Sequence, residues 1–88
     1  MHNVGMKDYA AILGKLLESV SETGDMRARS ELHKIYRNCK KIYLELDKES
    51  VECRRTRKLT AKYQEIAAKL DESINTFEQW NTFSKLLY

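Results

Sequence analysis

The stretch ARSELHKIYRNCKKIYLEL, residues 28–46, decides the fold. Its residues Ala28, Leu32, Ile35, Cys39, Ile42 and Leu46 are spaced 4-3-4-3-4, with Tyr36 and Tyr43 along one edge. A helix of about 3.6 residues per turn puts such a set on one face. A strand, whose side chains alternate with period two, cannot. The stretch therefore reads as an amphipathic helix with a buried seam.

Both flanks repeat that pattern. Upstream, Tyr9, Ile12, Leu13, Leu16, Leu17 and Val20 form one stripe over about Lys7–Glu22. Thr23-Gly24-Asp25 then supplies a stop, with Gly24 suited to a left-handed closing residue and Asp25 to a cap on the next helix. Downstream, Leu59, Tyr63, Ile66, Leu70, Ile74 and Phe77, with Ala67 beside them, restore the spacing in a helix that runs to the chain end. Between the second and third stripes lies DKESVECRRTRK, residues 47–58. The seam is expected to fail there, its next positions being Glu49, Cys53 and Thr56, and a break is expected within 47–56. The reading is an all-α, three-helix up-down-up bundle with a long C-terminal helix, residues 1–88 forming a single helical domain. The alternative joins the second and third helices into one long helix, stable only in a coiled-coil dimer, or folds them as a helical hairpin.

Composition agrees. Proline is absent, glycine occurs three times in 88 residues, and 33% of residues are charged, which leaves few breakers for β-turns. No apolar run approaches the roughly 18–20 residues a membrane span needs. The N-terminus MHNVGMKDYAAILGKLL lacks the pattern of a secretory signal, and Cys39 and Cys53 are too few for a disulfide framework. A cytoplasmic protein is expected.

Catalytic chemistry has little to stand on. His2 and His33 are the only histidines, and neither HxxxH nor CxxC occurs. There is no G-x-S-x-G elbow or phosphate-binding glycine loop either. No catalytic residue, metal site, cofactor or small-molecule substrate is expected, and the chain is read as not an enzyme.

Two features point to partners. With a second helix over about 26–48 and a third starting near Thr56, the third outruns its neighbour from about residue 79, an overhang of about 13 Å at ~1.5 Å per residue. Trp80, Phe83, Leu86, Leu87 and Tyr88 fall there, just after Phe77. A contiguous apolar patch of this kind marks an interaction site, and tryptophan is enriched among binding hot spots. A protein-docking or self-association surface made of Phe77, Trp80, Phe83, Leu86, Leu87 and Tyr88 is expected, most simply in a homodimer.

The second feature is charge. Residues 1–24 carry two bases and three acids, residues 25–62 twelve bases and six acids, and residues 63–88 two bases and four acids. In the basic middle, Arg27, Lys34, Lys41 and Lys48 recur every seven residues with Arg37 alongside, followed by the cluster Arg54, Arg55, Arg57 and Lys58. This patch suits an acidic protein surface. As the alternative reading, it suits nucleic-acid phosphates.

The stretches LLESVSETGD, LHKIYRNCKKIYLEL and AKYQEIAAKLDES, which span residues 16–73, loosely resemble microtubule-interacting and trafficking domains. Tyr36 falls at that family's second-helix tyrosine, and Tyr63 through Leu70 at its third-helix stretch. The resemblance implies three helices and a groove for a helical peptide. Leu32 and Arg29 depart from it, standing where the family prefers alanine and an aromatic residue, and the C-terminal aromatic tail has no counterpart. No residue roles carry over. The function expected is a small non-enzymatic interaction module: an adaptor, a regulatory inhibitor or a chaperone-like subunit.

Overall fold

The computed structural model describes residues 7–87, without the side chain of Leu87. These residues form three helices, α1 over Tyr9–Glu22, α2 over Met26–Thr56 and α3 over Ala61–Leu87. There is no strand among them.

Side-chain caps open each helix. Asp8 accepts from the Ala11 amide at 3.1 Å, and Asp25 from the Ala28 amide at 2.9 Å. Each satisfies an amide that the first turn leaves without a helical partner. The α1–α2 link needs no left-handed glycine. Thr23 ends α1 in an extended conformation, with its own amide on the Val20 carbonyl. Arg29 then grips the Thr23 carbonyl with two guanidinium nitrogens at 2.8 and 3.0 Å.

The break expected within 47–56 lies further on, at residues 57–60, so the charged run continues α2 for another turn and more. The seam does not fail there. Cys53 falls on it seven residues after Leu46 and is buried, while Glu49, the polar position between them, finds a hydroxyl partner across the turn. α2 ends at Arg57, a non-glycine residue in the left-handed region (φ 57°, ψ 33°), and the Arg57 and Lys58 amides both close on the Cys53 carbonyl. The turn also replaces the single long helix of the alternative reading with two.

Asn38 Nδ2 donates to Ser73 Oγ at 3.1 Å and Thr60 Oγ1 to Glu49 Oε2 at 2.7 Å, so α2 and α3 run antiparallel. α1 lies across both. Near its start the Tyr9 hydroxyl donates to Asp71 Oδ1 at 2.8 Å, and its last turn shares a cleft with Ser84 and Lys85 near the end of α3. Leu13, Leu16 and Val20 of α1 meet Leu32, Cys39 and Leu46 of α2 and Tyr63, Ile66, Leu70, Ile74 and Phe77 of α3 in one core. Leu32, Cys39, Leu70 and Phe77 are its most deeply buried side chains.

Candidate functional site

The extension of α2 removes the overhang. At about 1.5 Å per residue, the 31 residues of α2 span about 46 Å and the 27 of α3 about 40 Å. The register set by Asn38 and Ser73, carried one heptad along both helices, puts Trp80 level with Glu31. The end of α3 thus lies beside α2 rather than beyond it.

What sets this end apart is the phase of its side chains. Counting along the seam from Leu70, the 4-3 spacing runs Ile74, Phe77, Asn81, Ser84. The last two are polar. Ser84 is buried, and Asn81 is partly buried with its Oδ1 sealed from solvent and without a hydrogen-bond partner. The apolar residues fall off the seam: Phe83 is 52% exposed and Leu86 81% exposed. They line a shallow depression with Glu78, Gln79 and Thr82. Asn81 and Ser84 thus face inward and Phe83 and Leu86 outward near the end of α3, the reverse of an amphipathic arrangement for these four residues.

The residues expected to bind a partner therefore divide. Phe77 does not join the patch. It is fully buried, because it sits on the seam where α3 meets the rest of the core. Trp80 is partly buried, packs against the core and meets Phe83 edge-on, with ring centroids 5.4 Å apart and planes at 78°. That geometry is favourable for the two quadrupoles and props Phe83 in its outward position. Phe83 and Leu86 form the exposed surface. Tyr88 and the side chain of Leu87 lie outside the described residues. The inward turn of Asn81 and Ser84 was legible in the continuing 4-3 count, whereas stepping by threes from Phe77 hides it.

The basic residues all remain on the surface: Arg27, Lys34, Arg37 and Lys41 along α2, Arg54 and Arg55 in its last turn, Arg57 and Lys58 in the connection. Two acids on the same helix are committed locally. Glu31 pairs with Lys34 at 3.5 Å, and Glu52 holds Arg55 through both carboxylate oxygens. The Arg55 hydrogen bonds lower the Glu52 pKa below its ordinary value and raise that of Arg55. Cys39 lies in the core, where burial pushes its thiol up to about 11, which leaves it protonated and unreactive at neutral pH.

Among the described residues no group of three or more His, Cys, Asp or Glu side chains converges as metal ligands, and no helix is long and apolar enough to cross a membrane. His2 lies outside the described residues. Compared with protein-family models, with curated proteins and with solved structures, the chain matches none.

Proposed function

We propose that the chain is a non-enzymatic helical interaction module that docks through the outer face of the last two turns of α3, and that a second copy of the chain covers this face. One observation carries the reading: Phe83 and Leu86 point outward while Asn81 and Ser84 occupy the seam. A fully buried Phe or Leu contributes about 1.5–3 kcal/mol relative to an exposed one, so leaving both in water forgoes a gain that a partner would recover. A two-fold contact presents the same patch from each side and is self-complementary without further design. The patch is short, so the dimer is weak and concentration-dependent. Two buried free cysteines suit a reducing compartment, in keeping with a cytoplasmic location.

The test is solution mass by light scattering over a wide concentration range, for the wild type and for Phe83→Ala/Leu86→Ala. The expected result is a wild-type dimer that the double variant converts to a monomer of unchanged helicity. A wild type that stays monomeric at the highest concentration rejects self-association through this face.

A further inference from the structure

Because α2 runs unbroken to Thr56, a second seam exists on it, opposite the core. Arg37, Lys41, Leu44, Lys48, Val51 and Arg55 are spaced 4-3-4-3-4, and all six are exposed. Leu44 is 53% exposed and Val51 55% exposed, seven residues apart, with a base before, between and after them. We propose that this face receives an amphipathic helix of a partner protein, with aliphatic residues seven apart and acidic residues between them.

A 4-3 spacing on an exposed helix is the arrangement into which a second helix packs its own knobs. Leu44 and Val51 supply two apolar contacts on that line, and the bases set the sign of the partner's charge. The positive field is available: no ion pair among the described residues engages Arg37, Lys41 or Lys48. Of the nearby acids, Glu49 is turned inward to Thr60 and Glu52 is held by Arg55, leaving Glu45 and Asp47 at the edges. A phosphate backbone would use the bases and gain nothing from two half-exposed aliphatic side chains at the centre of the stripe. Charge complementarity with an apolar centre therefore favours protein over nucleic acid. This face lies on a different helix from the Phe83–Leu86 patch and does not depend on self-association.

The experiment uses the full chain, as wild type and as Phe83→Ala/Leu86→Ala, so that failure of the self-association reading does not enter. The probe is a synthetic three-heptad helix with leucine at seven-residue spacing and glutamate at the positions facing the bases. Leu44→Ser/Val51→Ser and Lys41→Glu/Lys48→Glu should each weaken its binding by about ten-fold or more, a difference of about 1.4 kcal/mol. A duplex DNA and vesicles of anionic phospholipid form the other two arms. Failure of the wild type to bind the peptide overturns the proposal. So does binding of DNA or vesicles that falls with the charge reversal but is indifferent to Leu44→Ser/Val51→Ser, since the face is then a purely electrostatic one.

Discussion

Thr60 Oγ1 donates to Glu49 Oε2 at 2.7 Å across the α2–α3 turn, and the same oxygen accepts the Tyr63 amide at 3.1 Å. Cys53 Sγ stands 3.6 Å from it. A hydroxyl has one hydrogen to give, so with that hydrogen on Glu49 the thiol is the donor to Thr60. One side chain thus starts α3, satisfies the polar position in the α2 seam and fixes where the chain turns.

Thr60→Val is accordingly expected to cost more than the loss of an ordinary cap. The cap alone is worth about 1 kcal/mol, and Glu49 is left without its donor. A loss of about 2 kcal/mol in urea unfolding is expected, with Thr60→Ser recovering most of it. A loss no larger than that of an exposed threonine elsewhere would show that the turn is set by Arg57 and the Cys53 carbonyl instead.

Phe77 and Phe83 stand six residues apart on one helix and should behave oppositely. Phe77 is fully buried, and truncating such a residue to alanine costs about 3–5 kcal/mol. Phe83→Ala should change stability by under about 1 kcal/mol, most of it the edge-on contact with Trp80. Thermal unfolding of the two variants at low protein concentration separates these effects from any coupled to self-association.

α1 is pinned near its start. Tyr9 is buried, its hydroxyl donates to Asp71 Oδ1, and Lys7 Nζ reaches the same oxygen at 3.1 Å. Burial and the hydrogen bond to Asp71 raise the Tyr9 pKa above its ordinary value. Tyr9→Phe removes one hydrogen bond and should cost about 1 kcal/mol. Lys7→Ala should cost less, since the lysine is exposed and the carboxylate is partly solvated. Equal losses in the two variants would mean that the charge, not the hydroxyl, holds α1.

The Cys39 thiol makes stability fall in alkali. Burial raises its pKa from the ordinary 9.0 to about 11, so folding favours the protonated form. That contribution is fully present below about pH 9 and is lost as pH rises through about 11. Tyr63, also raised by burial, acts in the same direction. Cys39→Val should flatten the fall measured by urea unfolding between these pH values. An unchanged slope would assign the loss to the tyrosines.

Most of the fold was legible because the core obeys one rule over long stretches. From Ala28 to Leu46 and from Tyr63 to Phe77 the apolar spacing names the buried face, and Asp25 signals the start of α2. The position of the turn was not legible. Residues 47–58 contain neither glycine nor proline, and the choice of stop falls to a left-handed arginine and a long-range bond between Glu49 and Thr60. Misplacing that turn by a few residues created an overhang that does not exist. Phe83 and Leu86 are exposed for a different reason, the inward turn of Asn81 and Ser84, which the 4-3 count carried on past Phe77 already contains and a count by threes conceals.

Asn81 is the residue on which that reversal turns. Its Oδ1 is buried without a partner, and an unsatisfied buried acceptor costs about 1–3 kcal/mol. Asn81→Leu keeps the branching and the number of side-chain heavy atoms, removes the unmet acceptor and places an apolar group at the seam position after Phe77. A gain of about 1–2 kcal/mol is expected, which for a domain of this size raises Tm by roughly 4–16 °C. The gain should be local. The last turns of α3 are held by polar seam residues, so amide hydrogen exchange over residues 78–86 should slow in the variant, while exchange in the Leu32–Leu46 part of α2 changes little. Phe83 and Leu86 stay outward whatever occupies position 81, so self-association should persist or strengthen as their helix becomes better ordered. A variant that is destabilised instead would mean that the amide oxygen has a partner worth more than the leucine, such as an ordered water.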